Sequence, residues 1–150
     1  MQVLEENERG FSAVLFSSLE EIDGVEQKAY FFLLDQGLAV DVFGVRLLLR
    51  ESLLNSIRHG HSFDRNKKIR FSLRREADHL ALCIEDEGPG FDYRLALREG
   101  LMPQGRTGRG LTILRAYADE VAYSGRGNVL SLKIRLGTAG EEGPASGTGS

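Results

Sequence analysis

The stretch RESLLNSIRHGH at residues 50–61 decides the fold, because it places two polar residues in a leucine-rich helix pattern. At about 100° per residue, Glu51 and Asn55 lie about 40° apart on one helical face. Three leucines project within roughly 60° of Glu51 on the same face. An acid and an amide in such an apolar lining need a partner, a metal or a ligand to satisfy their polar atoms. A bond from this pair to a neighbouring loop at the helix edge is the alternative interpretation.

A second segment, DEGPGFD at residues 86–92, directly follows an apolar run that is typical of a strand. The carboxylate of Asp86 could accept a hydrogen bond from the amino group of adenine. Gly88 and Gly90 would let the backbone approach a ring or a phosphate closely, because glycine has no Cβ. A simple strand-ending turn is the alternative interpretation of this segment.

A third segment, GRTGRG at residues 105–110, precedes an apolar, helix-like stretch. Its glycines would let backbone amides gather around phosphates at the start of that helix. Arg106 and Arg109 add positive charge there. The alternative for this segment is a flexible surface loop.

Taken together, the three segments predict a Mg-ATP site. The side-chain carbonyl of Asn55 is a hard oxygen ligand, which suits Mg²⁺. The carboxylate of Glu51, one turn away, can orient or deprotonate an attacking hydroxyl or water.

Composition sets broad limits on the class of protein. The chain has 150 residues, of which 41% are hydrophobic and 27% charged, as expected for one globular domain. Its formal net charge of −3 gives no general reason to bind nucleic acid or an acidic membrane. No apolar run approaches the roughly 20 residues that span a bilayer. The N-terminus is acidic and polar, unlike a secretory signal, and the lone Cys83 cannot form a disulfide within the chain. A reduced, cytoplasmic protein is expected.

Hydrophobic periodicity and turn residues predict alternating strands and helices. Ser18 is the expected N-cap of the first helix and Gly37 its stop; Asp41 lies near the start of the second helix and Gly60 just past its end. Strands are predicted at 10–18, 68–74, 80–85, 120–124 and 128–135, and helices at 19–36, 40–58 and 111–118.

These elements predict an α+β fold, a two-layer sandwich in which about three helices cover one face of a mostly antiparallel sheet. The ATP-binding domain is expected to span residues 1–136. The tail at 137–150 is rich in Gly, Ser and Thr and is predicted to be disordered. The glycine-rich connection at 95–109 is predicted to be mobile when no nucleotide is bound.

In order and spacing, these motifs resemble the GHKL superfamily of ATPases and kinases, whose Bergerat fold agrees with the predicted α+β class. The resemblance covers roughly residues 10–135. Its three motifs are the N-box, with Glu51, Asn55, His59 and Gly60; the first glycine box, with Asp86, Gly88 and Gly90; and the second glycine box, with Gly108 and Gly110.

Within that superfamily the chain is most similar to the anti-sigma-factor serine kinases of bacterial partner-switching systems. The resemblance implies that Glu51 activates a serine on a STAS-domain anti-anti-sigma partner and that Asn55 holds Mg²⁺. It implies that Asp86 recognises adenine. It also implies that Arg106 stabilises the transferring phosphoryl group. Arg106 belongs to the end of the lid, which is formed by Arg106, Thr107, Gly108, Arg109 and Gly110. It also implies a homodimer and raises a sigma factor as a second partner.

Two features of the family pattern have no counterpart here. Gly105 stands where the family often has an acid. A threonine common on a late strand is missing, and the nearest positions are Asn128, Val129 and Ser131.

Two other functions remain open at this point. The first is a stand-alone, histidine-kinase-like ATP-binding domain, although no helical hairpin that could carry a phosphoacceptor histidine precedes the site. The second is a binding protein whose shape is tuned by nucleotide without turnover.

Overall fold

The computed structural model contains a six-stranded antiparallel sheet and a layer of helices. It describes residues 1–60, 64–89, 114–125 and 127–137, and at residues 59 and 60 it describes the backbone alone. The strands are β1 (Gln2–Asn7), β2 (Gly10–Phe16), β3 (Lys68–Arg75), β4 (His79–Asp86), β5 (Glu120–Ser124) and β6 (Val129–Arg135). The helices are α1 (Leu19–Gln36) and α2 (Val42–Asn55), a π turn at Ser56–Gly60, and a helical turn over 114–117. The strand order is β1-β2-β3-β4-β6-β5. The predicted α+β class is confirmed.

Alternation along the strands places one face of the sheet against the helices. On β4, Leu80, Leu82 and Ile84 are buried and alternate with more exposed residues. The same period of two recurs on β3 and β6, and the buried side chains of these strands share one core with those of α1 and α2. Because side chains alternate between faces, Asp86, two residues beyond Ile84, lies on the side that faces the helices.

The strand predicted to begin at residue 10 is present as β2, but it is not the first strand, because β1 precedes it. β1 pairs with β2 and is an edge strand, with all six of its residues exposed. A strand without a buried face shows no alternation of apolar residues, so periodicity could not reveal it. β2 also ends at Phe16 rather than at residue 18, because Ser18 is already the N-cap of α1.

The predicted limits of α1 are confirmed at both ends. Ser18 has extended backbone geometry, and its hydroxyl accepts a hydrogen bond from the Glu21 amide at 3.2 Å. At the other end Gly37 has φ +59°, the left-handed conformation that glycine adopts without strain. Local capping chemistry therefore sets the length of this helix.

The predicted second helix, 40–58, is longer than α2 and differs in its last turn. Asp41 is the N-cap, and its Oδ1 accepts from the Gly44 amide at 3.1 Å. After Asn55 the hydrogen-bond pattern widens into the π turn. Gly60 therefore lies inside that turn rather than past the end of the helix. Periodicity of apolar residues does not distinguish an α turn from a π turn.

Charged side chains join α1 to α2 on the surface. Arg46 and Arg50 each donate to the carboxylate of Glu26, and Arg50 also donates to Asp23 at 2.7 Å. The hydrogen bond with Asp23, followed by that with Glu26, raises the pKa of Arg50. The guanidinium group of Arg46 also lies 4.6 Å from the centre of the Tyr30 ring. These contacts fix how the two helices pair, although exposed ion pairs add only about 0–1 kcal/mol each to stability.

Several predictions fall on other parts of the chain. The connection at 95–109 and the tail at 137–150, apart from Gly137, lie outside the described residues, as does the predicted third helix except at 114–118, where 114–117 is helical. The domain limits of 1–136 stay a prediction. In the described part of the chain, no helix combines the length and apolar content needed to cross a membrane.

Candidate functional site

Glu51 and Asn55 are buried on α2, one turn apart. The exposed fraction is 9% for Glu51 and 2% for Asn55. On the same helix Leu48 and Leu53 are fully buried in the core, whereas Leu47 and Leu54 are half-buried. The leucines that flank the pair thus range from half-buried to fully buried, while Glu51 and Asn55 themselves are buried.

Two oxygens of this pair have no hydrogen-bond partner among the described residues. They are Oε2 of Glu51 and Oδ1 of Asn55, and both atoms are buried. A buried polar group left unsatisfied costs about 1–3 kcal/mol. Ser52, on the same helix, is satisfied, because its hydroxyl donates to the Leu48 carbonyl at 2.7 Å. The fold thus satisfies a neighbouring polar side chain but leaves these two acceptors open.

The open acceptors fit a hydrated divalent cation and a hydroxyl group. Mg²⁺ binds oxygen ligands and usually keeps several waters, so one amide oxygen is a suitable protein ligand. A carboxylate oxygen without a partner can accept a proton or a hydrogen bond from an incoming hydroxyl. The donor set therefore agrees with the predicted roles of Asn55 toward Mg²⁺ and of Glu51 as a base.

The π turn begins directly after Asn55. The amide of Ser56 still donates to the carbonyls of Leu53 and Ser52, three and four residues earlier, so the wider π register begins after this bond. Single π turns inside or at the end of helices are rare and occur frequently at functional sites. The backbone of His59 and Gly60, the last two N-box positions, lies within this turn, whereas the His59 side chain lies outside the described residues.

Asp86 lies at the last position of β4, on the face covered by helices. It is 5% exposed. Its Oδ1 accepts a hydrogen bond from the Gly88 amide at 2.8 Å, which closes a tight turn as the chain leaves the strand. Among the described residues Oδ2 has no such bond. One carboxylate oxygen is therefore held by the backbone and the other is available to a ligand.

Asn128 is bound to Asp86 across the neighbouring strands. The Asp86 amide donates to the Asn128 carbonyl at 3.0 Å, and Nδ2 of Asn128 donates to the Asp86 carbonyl at 3.0 Å. Asn128 is 8% exposed. The sequence pattern indicates no role for this residue beyond its closeness to a missing threonine. The signal that could have found it is the Gly-x-Gly turn directly before it.

The structure brings only part of the predicted site into view. Glu51 and Asn55 share one helix face, and Asp86 and Gly88 share one turn. The remaining predicted positions, Gly90, Arg106, Thr107, Gly108, Arg109 and Gly110, lie outside the described residues.

Fold and site together define an α+β domain. Among the described residues, the buried side chains of Glu51 and Asn55 in the helix layer and of Asp86 at the end of β4 each have an acceptor oxygen without a hydrogen bond. The family model of the histidine kinase-like ATPase domain matches residues 19–134, more than two thirds of the chain, and the protein belongs to this family. The match begins at α1, so β1 and β2 precede it. No curated protein is similar enough to the chain to count as a match. Membership in the family implies an ATP-binding, kinase-like ATPase domain.

Proposed function

We propose that this protein is an ATP-dependent protein serine/threonine kinase that acts as an anti-sigma-type regulator on a STAS-domain anti-anti-sigma partner. One observation carries the proposal, namely that within the described part of this histidine kinase-like ATPase domain two buried oxygens, of Glu51 and Asn55, have no hydrogen-bond partner. Nucleotide binding alone needs a metal ligand but no base. A buried carboxylate one turn from that ligand is the group that transfer to a hydroxyl requires.

Each side chain has a separate role in the proposed reaction. Glu51 Oε2 accepts the proton of the partner's serine hydroxyl. The serine oxygen then bonds to the γ-phosphorus as the bond from that phosphorus to the bridging oxygen of ADP breaks. Asn55 Oδ1 would hold Mg²⁺, which when bound neutralises phosphate charge. Oδ2 of Asp86 would accept a hydrogen bond from the adenine amino group.

The glycines and the lid contribute by resemblance to the family. Gly88 and Gly90 would allow the backbone to approach the nucleotide, and His59 and Gly60 would complete the N-box wall of the pocket. Arg106 would neutralise the transferring phosphoryl group, with Thr107, Gly108, Arg109 and Gly110 covering the phosphates. The proposed setting is the cytoplasm, with a homodimer as the assembly and a sigma factor as a second partner.

The test is transfer of γ-labelled phosphate from Mg-ATP to the STAS-domain proteins of the source organism. The chain is expected to label a serine or threonine of one partner with acid-stable phosphate. In Glu51→Gln the transfer rate should fall about 10²–10⁴-fold, the usual contribution of a general base. ADP affinity in that variant should stay within about threefold of wild type, because the substitution conserves volume and leaves the side chains of Asn55 and Asp86 in place.

Ser52→Ala is the matched control, since Ser52 is the buried neighbour of Glu51 whose hydroxyl bonds only to its own helix. Transfer by this variant should remain near that of wild type. Acid-labile label would indicate histidine phosphorylation and overturn the serine assignment. Tight ADP binding without any transfer would instead support the nucleotide-tuned binding protein, and unchanged transfer by Glu51→Gln would remove Glu51 as the base.

A further inference from the structure

Asp86 is held at three points, two of them supplied by Asn128. The main-chain amide and carbonyl of Asp86 both bond to Asn128, at 3.0 Å each. The third contact is the Gly88 amide on Oδ1, at 2.8 Å. These bonds fix both peptide groups of Asp86, and hence the direction of its Cα–Cβ bond, as well as the rotation of its carboxylate.

The β5–β6 turn holds Asn128 in place. Gly125 has φ +62° and Gly127 has φ +92°, and the Gly127 amide donates to the Ser124 carbonyl at 3.0 Å. A Cβ added at Gly125 would lie 2.8 Å from Oδ1 of Asn128, which is closer than such contacts occur. The turn therefore packs tightly against the Asn128 side chain, in a backbone conformation that favours glycine.

The Asn128 side chain bonds to the strand end that carries Asp86. A donor placed on a buried backbone carbonyl keeps that peptide group from rotating, since rotation would leave the carbonyl unsatisfied at a cost. Only a carboxylate held in one orientation can distinguish an amino group on a purine ring from a hydrogen atom at the same position.

We infer that Asn128 is a positioning residue for nucleobase selectivity, which orients Asp86 so that its free carboxylate oxygen accepts the amino group of adenine. The inference rests on the proposed role of Asp86 in the nucleotide site. Asn128 itself touches no reacting atom, and its effect is confined to recognition of the base.

The test compares two ligands that differ at one position of the ring. Mg-ADP carries the 6-amino group, and Mg-purine riboside 5′-diphosphate carries hydrogen there. Calorimetric titration of wild type should show ADP binding about ten- to a hundredfold more tightly, as expected for one hydrogen bond to a charged group. In Asn128→Ala and Asn128→Asp this ratio should fall to about threefold or less. In Asn128→Ala, which adds no charge, the affinity for the purine riboside ligand should stay near the wild-type value.

Two variants keep the test decisive. Asn128→Asp conserves volume and cannot donate to the Asp86 carbonyl, so it serves if Asn128→Ala fails to fold. Its added negative charge weakens both ligands alike and cancels in the ratio. The matched control is Asn66→Ala, which truncates an exposed asparagine in the turn before β3 and should leave the ratio unchanged.

The possible outcomes distinguish the role of Asn128, the role of Asp86 and nucleotide binding itself. A selectivity ratio that survives in both Asn128 variants overturns the inference, and so does an equal loss of affinity for both ligands, which would indicate a purely structural role. Equal binding of the two ligands by wild type overturns the role of Asp86 but leaves nucleotide binding intact. Failure of wild type to bind Mg-ADP at all overturns the proposed function together with this inference.

Discussion

At the scale of single residues, α2 carries both satisfied and unsatisfied polar groups within one turn. Ser52 returns its hydroxyl to the Leu48 carbonyl, as buried hydroxyls in helices commonly do. Asn55, which is equally buried, leaves its oxygen without a partner among the described residues. Proteins retain such groups where function needs them, at a cost in stability. Replacing such a polar side chain with an apolar one should therefore raise the free energy of unfolding of the protein.

Asn55→Leu tests whether the buried polar group of Asn55 lowers stability and is needed for ligand binding. Leucine has the same branching at Cγ and carries no buried acceptor, so the nucleotide-free protein is expected to gain about 1 kcal/mol in free energy of unfolding. The stabilisation that Mg-ADP adds to wild type should be lost in the variant, because the proposed metal ligand is gone. Urea unfolding with and without Mg-ADP measures both effects.

Ser52→Ala is the control for this experiment as well. It also removes a buried polar group, but one that is already satisfied, so no gain in stability is expected and the response to Mg-ADP should persist. If Asn55→Leu destabilises the nucleotide-free protein by more than about 2 kcal/mol, the Asn55 oxygen has a structural partner and the metal assignment loses its support.

At the scale of elements, two glycines within helices differ in the space around them: one could accept a methyl group and the other could not. Gly24 lies within α1, where an added Cβ would meet nothing closer than Met1 Cε at 3.9 Å. Gly44 lies in the first turn of α2, where an added Cβ would lie 2.7 Å from both Cε1 of Tyr117 and Oδ2 of Asp41. The start of α2 therefore packs against the helical turn over 114–117 without room for a methyl group.

Alanine at these two positions should shift stability in opposite directions. Gly24→Ala is expected to raise the free energy of unfolding by about 0.5–1 kcal/mol, because alanine restricts the unfolded chain and favours helix. Gly44→Ala is expected to lower it by about 1–3 kcal/mol, since overpacking outweighs the same helix preference. Urea unfolding of the two variants in parallel measures the difference.

A double variant identifies the cause of the Gly44 effect. In a Tyr117→Ala background the ring is absent, so Gly44→Ala should cost much less there than in wild type. Equal costs in the two backgrounds would show that the ring is not what the added methyl group meets. A stabilising effect of Gly44→Ala in wild type would contradict the packing of α2 against the turn over 114–117.

At the scale of the whole molecule, the turn between β3 and β4 reaches the end of β6. The Leu136 amide donates to the Asp78 carbonyl at 2.9 Å, and His79 Nδ1 lies 2.7 Å from Oδ1 of Asp78. A carboxylate can only accept, so His79 Nδ1 is the donor of this bond. The hydrogen bond from His79 lowers the pKa of Asp78 below the ordinary value of 3.8.

Because the folded-state pKa of Asp78 is lowered, its contribution to stability is present above pH 3.8 and is lost as pH falls through the lower, folded value. Asp78→Asn should therefore reduce the urea midpoint slightly at pH 5 to 6, and the difference from wild type should vanish in strong acid. The effect is expected to be small, since the group is fully exposed. A series of urea midpoints across the acid range measures it.

His79→Ala supplies the control for the pH experiment. With the main donor removed, Asp78→Asn should cause a smaller loss, because only the backbone hydrogen bond and the charge of Arg135 still lower the pKa of Asp78. A difference between wild type and Asp78→Asn that grows as pH falls would have the wrong sign and would contradict the assigned hydrogen bond.

The sequence predicted those parts of the fold and site that depend on local chemistry. The limits of α1 follow from the Ser18 cap and the left-handed Gly37, and the β3–β4 hairpin follows from alternation on both strands. Glu51 and Asn55 were identified because a helix places them on one face among leucines. Each of these signals lies within about a turn of helix or a pair of strands, where neighbours in sequence decide geometry.

Other features depend on contacts between residues that are distant in the chain. β1 has no buried face, so its existence depends on pairing with β2 rather than on its own pattern. The link between Asp86 and Asn128 spans 42 residues and exists only because β4 and β6 are neighbours in the sheet. No local pattern encodes such a pairing, since strand order is set by how the whole chain buries its apolar surface.

The sequence by itself determined the fold class, the N-box pair and the acid at the end of β4, because residue type and periodicity are sufficient for each. Only the tertiary structure decided that one oxygen each of Glu51 and Asn55 lacks a partner in the part of the chain that is described, and that Asn128 holds Asp86. Whether a buried polar atom is satisfied depends on which groups the folded chain brings within hydrogen-bonding distance, and that is a property of packing rather than of spacing along the chain.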